Sequence, residues 1–197
     1  MRTSKGGQSA LLLLDVVEIL RREKVDYVVI GAFALTVLGV VRATTNVDAL
    51  LFTTPGRLAR LEKPFKRAGF GTELRTAEAD DPISGMLVLG DNFHNHVELL
   101  GGLRNMDPEL FSRTLEIKFR DATLRIVGRE DFIAMKCFAG SPQDVLDARS
   151  AYQAAPGPVD LDLLRTVARR FGRAAADRLE EVLAGPACEA AEPSPRL

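Results

Sequence analysis

The sequence has no pair of cysteines whose spacing suggests a disulfide framework or a thiolate zinc site; its two cysteines, Cys137 and Cys188, sit in dissimilar surroundings. A small disulfide-stapled secreted fold is therefore excluded, and a reducing cytosol fits best. No charge of one sign dominates either. Lys and Arg number 26 against 27 Asp and Glu, a formal net charge of −1, so no global basic field gathers polyanions and any contact with nucleic acid must be local. Long apolar runs are also missing. Leu11 to Leu14 is the most apolar stretch near the start, but Asp15 and Glu18 interrupt it far short of the roughly 20 residues that span a bilayer. With no small-residue cleavage site behind it, a signal peptide is not expected. The expectation is a soluble, cytoplasmic protein with no membrane partner. There is no Gly-rich Walker loop and no internal repeat.

What is present suits one compact unit with an extension: 197 residues with 46% hydrophobic side chains bury one sizeable core. Apolar residues at 12, 13, 16, 17, 19 and 20 predict a helix over 9–22 with Ser9 as its cap. Tyr27 to Ile30 is a short β-branched run that Gly31 ends, a short helix to Leu38 follows, and Val47 to Phe52 reads as the next strand. Arg57 to Arg67 looks helical, with Pro64 expected to break or kink it, and Gly69 to Glu73 leads into an acidic, loop-like stretch through Pro82. Four further runs, 86–89, 95–100, 115–119 and 124–127, have strand character. Only helices follow Gly128, over 130–139, 142–154, 161–171 and 174–184. The expected fold class is α/β (α+β): a mixed sheet flanked by helices over 1–128, a helical subdomain over 129–184, and a disordered tail over 185–197.

Chemistry concentrates between Val29 and Leu51. Gly31 permits a sharp turn from strand to helix, and free amides at that helix start can meet phosphate oxygens. On the following strand Asn46 and Asp48, two apart, share one face beside that turn. Oxygen donors so placed suit a hard cation such as Mg²⁺, held by one or two carboxylates plus substrate phosphates. Glu98, an acidic residue in an apolar strand, is the best third donor; its competing reading is a half-buried side chain paired with a base. Thr44 also simply favours strand geometry, and Arg42 and Lys136 also fit solvated surface positions. His94, His96 and Glu98 alternate and raise a transition-metal site as an alternative. His96 could instead contact substrate, while Cys137 reads as a small buried apolar residue. Arg57, Arg60, Lys63, Lys66 and Arg67 could steer an RNA, although a solvated helix face explains them more cheaply.

Gly31-Ala32, Gly39, then Arg42-x-Thr44-x-Asn46-x-Asp48 and a distant Glu98 resemble the pattern of the DNA polymerase β-like nucleotidyltransferase superfamily, especially its bacterial AbiEii-like branch, which includes toxins of toxin–antitoxin pairs. The likeness covers roughly residues 25 to 152. A second match follows in order: Glu130-Asp131-Phe132 leads to Lys136, with Asp144 and Asp147 beyond. The resemblance implies a nucleotidyltransferase fold and an Mg²⁺-dependent transfer of NMP from an NTP such as ATP to a hydroxyl. The acceptor could be an RNA 3′ end (tRNA), a protein or a small molecule, and a cognate antitoxin is a possible partner. It implies that Asn46, Asp48 and Glu98 hold two metal ions, that Gly31, Ala32, Arg42, Thr44 and Lys136 contact the nucleotide, and that Asp144 and Asp147 face the cleft or brace the helices. Asn46 departs from the pattern, which has an aspartate there. Asparagine keeps one oxygen donor but loses the charge and the second oxygen, leaving two readings: a transferase of weakened activity, or an inactive protein that binds nucleotide or a partner.

Overall fold

The computed structural model describes residues 1–76, 78, 81–154 and 157–185. Seven helices and seven strands follow one another as α1 (Ser9–Arg22), β1 (Tyr27–Ile30), α2 (Gly31–Val37), β2 (Asn46–Leu51), α3 (Pro55–Arg67), β3 (Gly71–Thr76), β4 (Gly85–Gly90), β5 (His96–Leu100), β6 (Leu115–Phe119), β7 (Ala122–Ile126), α4 (Arg129–Ala139), α5 (Pro142–Gln153), α6 (Leu161–Phe171) and α7 (Arg173–Ala184). A 3-10 turn at Pro108–Phe111 precedes β6. The strands form one mixed sheet in the order β3-β4-β5-β2-β1-β7-β6. Two of its ladders, β2 with β5 and β1 with β7, are parallel. Parallel neighbours need crossover connections, so the chain places residues far apart in sequence side by side.

Helices α1 and α3 touch each other, α1 covering β2 and β5 and α3 covering β3 and β4, while α2 lies against β1 and β2. The apolar stripe of α1 explains its seat: Leu12, Leu13, Val16, Val17 and Leu20 are all buried. Along β2, Val47, Ala49 and Leu51 are buried on one face, and Asn46 and Asp48 alternate onto the other, only partly covered. Helix α4 carries α5, α6 and α7 on its flanks. Its Phe132, Ile133, Ala134 and Cys137 are buried, and burial pushes the Cys137 thiol up to about 11, so it is an inert core residue.

Several expectations change. Ser9 does not cap α1; Gln8 occupies that position, and the Ser9 hydroxyl donates to the Thr45 carbonyl at 2.5 Å while accepting from the His96 amide at 3.1 Å. Two strand beginnings drew this hydroxyl away from the helix end. Pro64 does not break α3, which runs on to Arg67 because Leu58, Leu61 and Phe65 anchor it in the core. Part of the segment Gly69 to Glu73 and the start of the expected loop, where no strand is expected, form β3, an edge strand of Gly, Thr, Glu, Leu and Arg paired antiparallel with β4. Its polar composition hides it because only one flank is bonded and neither face is fully buried. The alternation of His94, His96 and Glu98 also fails: His94 lies in a turn at φ 62°, and β5 starts at His96. The expected tail from 186 onward, with Cys188, lies outside the described residues.

Candidate active site

The site begins with strand register. In the parallel ladder Asp48 lies opposite Glu98 and Asn46 opposite His96, so two carboxylates and an amide share one face of adjacent central strands. The Asn46 Nδ2 donates to Glu98 Oε1 at 3.3 Å. Burial and the nearby Glu98 charge push the Asp48 carboxyl up to about 6, against the opposing pull of Lys136 and Arg42. Two acids with one strand spacing between them thus lack a full complement of positive charge.

Gly31 closes one side of this pair. Its φ is +68°, and a Cβ there would lie 2.1 Å from Asp48 Oδ2, so only glycine lets the strand-to-helix turn pass so close to the carboxylate. Ala32 is buried behind it, packed into the fold with its carbonyl accepting from the Thr36 hydroxyl. Thr44 does not enter the cleft: its hydroxyl donates to the Asn46 carbonyl at 2.8 Å and fixes the entry to β2.

Helix α4 supplies the opposite wall. The Lys136 ammonium lies 2.7 Å from Asp144 Oδ1 and 3.0 Å from Asp147 Oδ2, and 5.8 Å from the centre of the Phe132 ring. Asp147, with a side chain only 3% exposed, also accepts from Arg42 at 2.6 Å and from the Gln143 amide at 2.9 Å. Ser141 and Asp144 form a reciprocal capping box at the start of α5. Burial works to raise the Asp144 carboxyl, yet hydrogen bonds from Lys136 and Ser141 outweigh it and hold Asp144 below its usual range. Asp147 is therefore the joint between the Arg42 loop and the lysine helix, while Asp144 both braces α5 and lines the cleft.

Between these walls lies a cleft of about 300 Å³ bordered by Gly31, Asp48, Glu98, Lys136 and Asp144. The structure brings those five predicted residues together; Asn46 joins through Glu98, and Arg42 through Asp147. The rest of the lining is almost wholly apolar, from Ile30 to Phe138 and Ala139. Sequence reasoning missed that wall, whose signal was the apolar residue two positions beyond Glu98 on the same strand face, Leu100. Asp131, part of the second motif, does not reach the cleft: it is buried and takes a two-pronged bond from Arg113 at 2.7 and 2.8 Å.

The donor chemistry and the Gly31 cradle fit one hard divalent cation at the two carboxylates. They do not offer the charged bridge that a second ion would need, because position 46 is a neutral amide. Among the described residues no group of three or more His, Cys, Asp or Glu is disposed to hold a metal ion. Nor, among them, is any helix long and apolar enough to cross a membrane.

Known proteins resemble this chain mainly in fold. No curated protein matches the sequence significantly. The antibiotic-resistance factor ANT(2'')-Ia superposes with a TM-score of 0.56 at 13% identity, covering 88% of this chain and 95% of that one. A second structure of it, in complex with adenylyl-2''-tobramycin, gives 0.54 at 12% identity over 83% and 96%. A Thermotoga maritima protein described as a nucleotidyltransferase gives 0.54 at 16% identity, covering 74% and 93%. A nucleotidyltransferase-like protein from Paracoccidioides brasiliensis gives 0.51 at 16% identity over 95% and 98%. At such identities the likeness establishes the nucleotidyltransferase fold. The sequence itself matches the family of nucleotidyltransferases of unknown function (DUF6036) over residues 12–183, and the chain belongs to that family.

Proposed function

We propose that the chain transfers a nucleoside monophosphate from an NTP to a hydroxyl acceptor in the cleft between β2, β5 and α4. The pairing of Asp48 with Glu98 beside the Gly31 turn carries this reading. Asp48 and Glu98 would hold Mg²⁺, with Asn46 contributing at most a neutral oxygen. A bound divalent ion would supply charge neutralisation for the departing pyrophosphate. The acceptor oxygen attacks the α-phosphorus, the bond to the bridging oxygen of the β-phosphate breaks, pyrophosphate leaves, and the hydroxyl proton passes to water beside the carboxylate pair. Gly31 and Ala32 allow close approach of the nucleotide; Lys136, once it exchanges Asp144 for a phosphate oxygen, orients the triphosphate. Arg42 and Thr44 hold the rim. On this reading residues 1–128 form the catalytic sheet unit and 129–184 a helical unit that contributes Lys136 and Asp144.

Labelled NTPs incubated with Mg²⁺ and cell extract test the proposal. Transfer is expected to be weak for the chain itself, stronger for Asn46→Asp, and lost for Asp48→Asn; no transfer by Asn46→Asp defeats it. A second reading, a nucleotide-binding protein without turnover, is favoured by Asn46 alone. Calorimetry would then show NTP binding while no label moves, even with Asn46→Asp. The AbiEii-like branch and a toxin role with a cognate antitoxin rest on motif resemblance, and growth arrest on induction is their test.

A further inference from the structure

The cleft has a charged end and a long apolar end, and this division speaks to the acceptor. Its floor continues from Glu98 along the same face of the sheet. Leu100, two residues on, lies opposite Met86 on β4, and an isolated antiparallel bridge then sets Ile83 opposite Leu103. The roof is Met135 and Phe138 on α4, the latter stacked on Phe171 with ring centres 4.8 Å apart. The floor therefore starts about 7 Å from Glu98, two residues along a strand. Its backbone is already satisfied where Ser84 donates to the Gly102 carbonyl, Gly101 to Gly85 and Arg104 to Pro82. No charged side chain other than Asp48, Glu98, Lys136 and Asp144 lines the cleft among the described residues.

Three occupants fit this end poorly. A nucleobase would bury several edge donors and acceptors against side chains that cannot pair with them, and each such group is costly to leave unmatched. A ribose-phosphate chain would need further cations, because the one ammonium lining the cleft among the described residues, Lys136, is the group that takes the triphosphate of the NTP. A polyamine sugar would have to shed water from its ammonium groups along the Met86, Leu100 and Leu103 floor. An apolar body meets none of these costs, and a cleft of about 300 Å³ in all, shared with the phosphates of the NTP, leaves this end room for a small ring or chain body.

We propose that the acceptor is an uncharged small molecule with an apolar ring or chain body, seated between Ile83, Met86, Leu100 and Leu103 below and Met135 and Phe138 above, and presenting its hydroxyl to the Asp48–Glu98 end. This rests on the cleft being the site of nucleotidyl transfer. In the reaction the hydroxyl oxygen bonds to the α-phosphorus of the NTP, pyrophosphate departs with the bridging oxygen, and one proton is released to water.

Two measurements on the full chain test it separately from the transfer reading. First, 2-(2-naphthyl)ethanol is titrated by its fluorescence. Saturable binding is expected, weakened tenfold or more by Met86→Gln and by Leu103→Gln and unchanged by Lys63→Gln on α3. Circular dichroism and melting confirm that the variants fold, and Met135→Gln in the roof replaces either one that does not. Absence of binding, binding indifferent to these substitutions, or displacement of the probe by tobramycin or by the trinucleotide CCA overturns the proposal. Second, the products of a labelled-NTP incubation with Asn46→Asp and cell extract are partitioned. Label is expected on a small molecule that a reversed-phase column retains longer than free NMP and NTP, because the product joins the apolar body to a charged nucleotide phosphodiester; label in RNA, in protein or in a polycationic fraction overturns the proposal while leaving nucleotidyl transfer intact. No label in any fraction defeats the transfer reading, and the apolar seat still stands or falls with the naphthylethanol titration.

Discussion

At the residue scale, Asp48 is held in a state that costs the folded protein. Its carboxyl titrates near 6 when folded against the usual 3.8, so the native state binds a proton more tightly than the unfolded chain. Asp48 therefore withdraws stability as pH rises from about 4 to about 6, and the deficit is complete above that window. Asp48→Asn should stabilise the metal-free protein by about 1–2 kcal/mol at pH 8, less than the full shift because water still reaches the site, and the gain should fade below pH 4. Thermal melts of both proteins across pH 3.5 to 8 check this; a gain independent of pH contradicts it. The neutral side chain at position 46 has its own consequence. Mn²⁺ followed by electron paramagnetic resonance should bind as one ion per chain, and Asn46→Asp should tighten it at least tenfold. Two ions of equal affinity in the unaltered chain would refute the one-ion reading.

At the scale of elements, the joint is Asp147. Its nearly inaccessible carboxylate accepts from Arg42, Lys136 and Gln143, tying the loop before β2 to α4 and α5. Removing it leaves Arg42 without its carboxylate partner and Lys136 with Asp144 but not Asp147, and because water reaches Arg42, Asp147→Ala should cost about 2 kcal/mol. Chemical denaturation measures that, and a loss under about 1 kcal/mol would mean the joint is slack. Much of this level was legible in the sequence. The glycine turn, the alternation of Asn46 with Asp48 and the lysine helix are local patterns whose period and punctuation survive in any tertiary setting. The edge strand β3 was not legible, since a strand bonded on one flank needs no apolar alternation. The partners of Ser9, Arg113 and Asp147 were hidden for another reason: they are fixed by which strands become neighbours, and no local spacing encodes that. The same holds for the apolar wall, because Ile83, Met86, Leu103 and Met135 belong to separate segments.

At the scale of the whole molecule, sheet and helices are joined by charge as well as by packing. Arg113 holds buried Asp131 on α4 with two bonds and reaches Asp107 with a third at 3.0 Å, and hydrogen bonding to Asp131 raises its already high pKa further. The clamp is close-fitting: a Cβ on Gly128 would sit 2.7 Å from the Arg113 carbonyl oxygen. Arg113→Ala should leave the Asp131 carboxylate buried and unpaired, loosening α4 and with it the Lys136 wall. Hydrogen exchange is expected to show faster opening of α4 amides with β2 and β5 unchanged; uniform acceleration throughout the chain would place the clamp's effect elsewhere.

The parallel pairing of β2 with β5 also sets when the site comes into being. Asp48 and Glu98 are separated along the chain by α3, β3 and β4, and the seam between their strands is closed by residues at the head of α1. The Gln8 amide there donates to Asn95 across a separation of 87 residues, and Ser9 bridges both strands. Contacts of such long range pay their loop entropy before they return any stability. In a refolding experiment the carboxylate pair should thus be among the last features to mature, after the β6–β7 and β3–β4 hairpins have closed.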